Sequence, residues 1–228
     1  MTLDTAPGQF GTGPLARAAA LVYTLLVVEF LLLLTVAPGV AALLTLHRDA
    51  SNLPLAAACL VPVGPALSAA LYALHRRRLD LADLHPAAAF WRGYRLNVRS
   101  SLAVFLPWLA LLTMVAMTLA HRSAAGIPGW WQVLLAVIAA IATLWLTNAL
   151  VITSLFAFRT VDAARLAAYF VGRMPKVALG NVSLLILAVG VTIVATEAAL
   201  ILLASVLGLV LLGNCRAMIE QVREEFTA

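Results

Sequence analysis

The chain has 228 residues, 64% of them hydrophobic, with a formal net charge of +5 and a mean hydropathy of +1.02. A soluble domain of this size would have to show much of that apolar sequence to water, so the composition excludes one. The basic balance does not point to nucleic acid, because the arginines lie in the gaps between apolar runs, where they act as topology signals.

Ala, Leu and Val dominate and the runs lack two-residue alternation, which predicts an all-α transmembrane helix bundle rather than a β-barrel. The segment 1–16 has no basic leader, and the apolar run after it is too long for a signal core, so it is expected to be retained as an N-terminal cytoplasmic segment. The first span is expected over 17–46. Pro38 lies inside it and predicts a kink, or a shorter helix followed by an irregular segment. The second span, 53–74, holds Pro62, Gly64 and Pro65 and is expected to be bent or broken. The polar stretch 75–100 carries Arg76, Arg77, Arg78, Arg92, Arg95 and Arg99, and the third span follows over 101–120. Trp130 and Trp131 read as an interfacial anchor before the fourth span, 132–158. A polar segment, 159–176, comes next.

The run 177–213 would be about 55 Å long as one helix, nearly twice the ~30 Å hydrocarbon core. It is therefore divided into spans over 177–194 and 197–213, with a turn between Gly190 and Glu197, and a cytoplasmic tail follows over 214–228. Six spans put both termini on one side. All but Arg48 and Arg122 of the 15 Lys and Arg residues then share that side, which makes it cytoplasmic. The aromatic–basic clusters Phe90–Arg95 and Tyr169–Arg173 sit alike before their spans, so the pairs two–three and four–five read as parallel copies of one unit.

On a helix over 87–100, Arg92, Arg95 and Arg99 make a basic stripe beside an aromatic–apolar one of Trp91, Tyr94 and Val98. Such a helix lies along the headgroups of an anionic inner leaflet or docks a cytoplasmic partner, and Phe90 completes the group. Glu29 lies inside span one, where a carboxyl group is costly and is paired, protonated or set in a wet cavity. Asn148 and Thr147 are candidate partners, and Asn148 with Thr143 otherwise serves as polar glue between helices. Glu197 is assigned to the outer turn, and Asp80 and Asp83 to balancing Arg76–Arg78. His47, His75, His85 and His121 lack ligand spacing, Cys59 and Cys215 suggest no disulfide, and no phosphate loop or nucleophile–base set occurs. No cofactor, metal or catalytic activity is expected.

Two stretches, PVGPALSAAL over 62–71 and FWRGYRLNVRSS over 90–101, resemble the YesL family of bacterial membrane proteins, more weakly supported through 159–175 and on to the C-terminus. The resemblance implies a non-enzymatic accessory or interaction role in oligosaccharide uptake, beside the permease or ATPase of an importer, with no catalytic residues to carry over. The chain departs from the family at Val28–Leu31, where an Asn-Leu-Leu-Trp-like stretch is usual, and in the polar loop 47–52. Two other functions suit the residues: a small autonomous secondary transporter or channel using Glu29, or an enzyme acting on lipid-linked sugar, against which the lack of clustered acid–base residues argues. Abundant small residues in the spans permit self-association as readily as close packing within one chain.

Overall fold

Proline at the start of a helix costs little, because its missing N–H would be unpaired there anyway. Helices α1 (Pro14–Thr45), α2 (Leu53–Cys59), α4 (Pro86–Ala120) and α7 (Pro175–Val194) all carry proline at their first or second position in the computed structural model. The remaining helices are α3 (Val63–His75), α5 (Gly129–Leu155), α6 (Thr160–Arg173), α8 (Ala204–Asn214) and α9 (Arg216–Phe226), with a 3-10 turn at Ala50–Asn52 before α2. The structure describes residues 13–47, 49–77, 84–121, 128–194, 199 and 202–226, and no strand occurs among them. Arg48, Arg78, Asp80, Asp83, Arg122 and Glu197 lie outside the described residues.

Five helical stretches are long and apolar enough to cross a bilayer: Pro14–Thr45, Ala50–His75, Pro86–Ala120, Gly129–Leu155 and Pro175–Val194. A sixth arises if α8 and α9, which meet at 54°, count as one span. These lengths, with large apolar side chains exposed along them, suit a multi-pass membrane protein. On α1 the exposed residues Val22, Leu26, Phe30 and Leu34 repeat at i+4, while Thr24, Val28, Leu32 and Val36 are buried on another face. One stripe faces outward, as a surface suited to lipid, and the other meets the bundle.

Three expectations change. First, of the two outcomes expected at Pro38 the shorter helix is excluded: α1 continues through it to Thr45, with no irregular segment. Proline removes one hydrogen bond, and the turns beside it are fixed by burial of Val36 and Gly39. Second, 87–100 is no separate helix along the headgroups but the first part of α4, which runs unbroken for 35 residues. At about 1.5 Å per residue it is ~52 Å long, so ~20 Å of it exceeds the hydrocarbon core. Third, the last run is interrupted at Leu203, which forms a turn before α8, instead of giving one span over 197–213. α8 has 11 residues and rises only ~16 Å, about half the core. Gly190 stays inside α7, and residues 195–198 of the expected turn lie outside the described set. The chain also breaks its helix at Leu60–Pro62, directly before Gly64 and Pro65 in the first turn of α3.

The polar segment 159–176 contains an amphipathic helix, α6, whose Ala163, Ala167 and Phe170 are buried. Trp145 Nε1 of α5 donates to the Ala164 carbonyl at 3.0 Å and fastens α6 to the bundle. The proposed repeat of 90–99 and 169–173 diverges here. α4 runs on without a break, whereas Met174 before Pro175 leaves helical geometry and separates α6 from α7.

The most extensive helix contact is between α3 and α4, where a glycine on each helix receives an aromatic ring from the other. A Cβ on Gly64 would stand 2.6 Å from Phe105, and one on Gly93 would stand 2.8 Å from Tyr72. Small residues let helices approach closely in the membrane, where dispersion and hydrogen bonds supply the cohesion. Ser68 Oγ lies 2.8 Å from Ser154 Oγ, and Asn97 Nδ2 donates to the Ser154 carbonyl at 3.0 Å, which ties α3, α4 and α5 together.

Candidate functional site

Every described Arg and Lys lies toward one end of the bundle, formed by the start of α1, the α3–α4 connection, α6 and the α8–α9 corner. At this end the last turn of α3, the first turns of α4 and Thr24 of α1 border a half-open cleft of about 420 Å³. Its polar lining comes from Thr24, Tyr72, Arg76, Arg77, His85 and Arg92. Arg76 Cζ sits 5.0 Å from the centroid of the Tyr72 ring, and Arg77 Nη1 donates to the Leu74 carbonyl at 2.8 Å.

Glu29 is on α1, five residues beyond Thr24 and thus ~7.5 Å further along the helix axis. Its side chain is buried. Oε2 accepts the backbone N–H of Ser205 at 2.7 Å. Oε1 is buried and has no hydrogen-bond partner among the described residues. Ser205 is the second residue of α8, so the carboxyl group caps a helix N-terminus that lies within the bundle. The helix dipole favours negative charge there. Neither expected partner reaches Glu29. Thr147 Oγ1 bonds the Leu144 carbonyl of its own helix at 2.8 Å, and Asn148 pairs elsewhere.

Asn148 on α5 accepts from Asn181 Nδ2 of α7 at 3.0 Å, and Asn181 accepts from Asn214 Nδ2 of α8 at 2.7 Å. Asn214 Nδ2 also donates to the Val177 carbonyl at 3.1 Å. The three amides form a chain of side-chain bonds across three helices, each satisfying the next. Asn181 and Asn214 did not stand out in the sequence. The signal that could have found them is an equal spacing: the three asparagines are 33 residues apart. Thr143 accepts from Trp108 Nε1 at 3.3 Å, a link between α4 and α5.

The basic–aromatic group divides. Phe90 is fully buried and belongs to the core, so it leaves the docking set. Tyr94 is half-buried, while Trp91, Arg92, Arg95 and Arg99 are exposed, with Leu96 beside them. Pro62, Gly64 and Pro65 serve the break and the α3–α4 contact, and Pro38 sits inside α1 beside Gly39. Among the described residues no three His, Cys, Asp or Glu side chains come together as metal ligands. Cys59 and Cys215 are both free.

No family model matches the chain, and no curated protein or solved structure is significantly similar to it. The likeness to the YesL family rests on the two stretches themselves. In the fold these stretches are neighbours: Ser68 of the first and Asn97 of the second bond the same residue, Ser154.

Proposed function

We propose that the protein is a non-enzymatic, multi-pass component of the bacterial cytoplasmic membrane that assists oligosaccharide uptake by associating with an importer permease or its ATPase. In this reading it has six spans, with both termini on the cytoplasmic, arginine-rich side. The carrying observation is the exposed face of Trp91, Arg92, Arg95, Leu96 and Arg99 on the part of α4 that exceeds the hydrocarbon core. An indole and guanidinium groups on a rigid helix are the residue types that anchor interfaces. The importer itself comes from the family resemblance alone. Tagged protein is purified in mild detergent from native membranes of cells grown on complex glycans, beside the variant Trp91→Ala/Arg95→Ala. The expected result is a permease or ATPase in fixed ratio with the wild type and its loss from the variant, with slower uptake. Wild type recovered alone, or a variant with unchanged binding and uptake, overturns the docking role.

A second reading is an autonomous transporter or channel, favoured by the buried, half-partnered carboxyl group of Glu29 at the start of a short interrupted helix. Interrupted helices with inward-facing termini line ion and substrate sites in many transporters. Solute flux into liposomes that Glu29→Gln abolishes would establish this reading, and flux indifferent to that change would remove Glu29 from it.

A further inference from the structure

We propose that the exposed Arg95–Arg99 face of α4 binds a second copy of this chain, through the acidic outer face of that copy's α9. The inference shares with the docking reading only the premise that this face is open to a protein. Arg95 and Arg99 are exposed one turn apart, with Trp91 and Leu96 beside them. On α9, Glu220 and Glu224 are exposed at the same spacing, with Glu225 next to them. Among the described residues Arg95, Arg99 and Glu224 make no ion pair, and Glu220 has the exposed Arg216 as its partner. An exposed pair of that kind is weak and exchanges readily.

The two faces overlap in depth. Asn97 of α4 bonds the Ser154 carbonyl of α5. Cys215, just before α9, has its Sγ 3.9 Å from Asn181 Nδ2. Asn181 in turn bonds Asn148 of α5, which precedes Ser154 by ~9 Å along the helix. From that level α9 heads for the arginine-rich end, where Arg223 interacts electrostatically with His75, the last residue of α3. With 11 residues it is ~16 Å long and passes the level of Asn97. α4 leaves the same end, so α4 and α9 run antiparallel.

Copies of one membrane protein share orientation and depth, so a neighbour presents at this level only the faces that the chain itself has there. An α4–α4 contact would set arginine against arginine, and repulsion disfavours it. An α4–α9 contact sets Arg95 opposite Glu224 and Arg99 opposite Glu220. The rise between the two charges is ~6 Å on both helices, so one antiparallel contact at an axis separation of about 8–10 Å closes both pairs. Trp91 and Leu96 add apolar area beside the charges.

The mass of the purified full-length protein is measured by light scattering in uncharged detergent, at low and at high salt. The wild type is expected to be an assembly of two or more copies at low salt and to dissociate as salt screens the pairs. Arg95→Glu/Arg99→Glu and Glu220→Arg/Glu224→Arg should each weaken association at least about 10-fold. Mixed together, these two variants should associate as the wild type does, because their reversed faces complement each other. That recovery separates lost charge pairing from misfolding. Arg17→Glu, at an exposed arginine of α1, should change nothing. The importer is absent from the measurement, so failure here leaves the importer reading standing, and failure to capture an importer leaves this result untouched. A wild type that is monomeric at low salt overturns the proposal, as does a mixture of the two variants that stays monomeric. A monomeric wild type that binds phosphatidylglycerol vesicles through Arg95 and Arg99 assigns the face to lipid and overturns it equally.

Discussion

The Cys59 carbonyl occupies the place where a side chain on Gly39 would begin, so α1 and the end of α2 touch backbone to backbone. Alanine at 39 would force the two helices apart, since neither partner is a flexible side chain. Overpacking of this kind costs ~1–3 kcal/mol. Gly190 on α7 has nothing within 4 Å of a built Cβ, and alanine there should gain up to ~1 kcal/mol of helix propensity. Melting of the purified variants in detergent should therefore shift in opposite directions, down for Gly39→Ala and up or unchanged for Gly190→Ala. Equal shifts would show that the α1–α2 contact is not close. At this scale the sequence is least readable. Glu29 stands out as a carboxyl group in an apolar run, but its partner is a backbone N–H 176 residues away, and a backbone donor carries no residue type to search for. Asn148 is visible for the same reason as Glu29, yet its partner Asn181 looks like an ordinary polar residue near a span end.

Helices whose faces differ strongly are readable when the polar residues are read by period and not by content. The segment 159–176 looks like a polar gap by composition, but Ala163, Ala167 and Phe170 at i, i+4 and i+7 define the buried face of α6. Pro86 marks the start of α4, while nothing between Arg99 and Ser101 would stop a helix. The expected boundary there came from a change in hydropathy, which locates the membrane and not the helix end. The tail is the third case. α9 is more than a charged extension, because Met218, Ile219 and Val222 are buried against the bundle. Arg216 pairs with Glu220 at 2.9 Å on its outer side. Replacing Met218 by Asp exchanges a buried apolar side chain for a charge, a loss of ~2–5 kcal/mol or more. That should release α9, and limited trypsin digestion should then cut at Arg216 and Arg223 at least about 10-fold faster than in the wild type. Unchanged cleavage would mean that α9 is held by contacts other than this face.

Across the molecule the helices differ in how burial is distributed, and in α5 and α7 it is graded from one end to the other. In α5 every buried residue lies between Leu146 and Ser154, whereas Trp130, Val133, Val137 and Ile141 of its first half are exposed. In α7 the buried residues are Val177 and Asn181, both near its start. In these two helices the buried residues gather at the arginine-rich end, whereas burial in α1, α3 and α4 continues to the other end, through Gly39, Gly64 and Val115. Hydropathy makes the first four spans and α7 legible, because each exceeds the length that a bilayer requires. It cannot show the gradient, since a residue facing lipid and one facing another helix are equally apolar. The continuity of α4 has one more consequence. Its exposed arginines and its lipid-facing side chains belong to one unbroken rod, so their angular phase is locked. One residue inserted after Ser101 would rotate the Arg92–Arg99 face by ~100° about the rod and raise it by ~1.5 Å relative to the membrane-embedded part. The length of the span thus encodes the compass bearing of the surface above it, and helix length and surface orientation cannot vary independently in this protein.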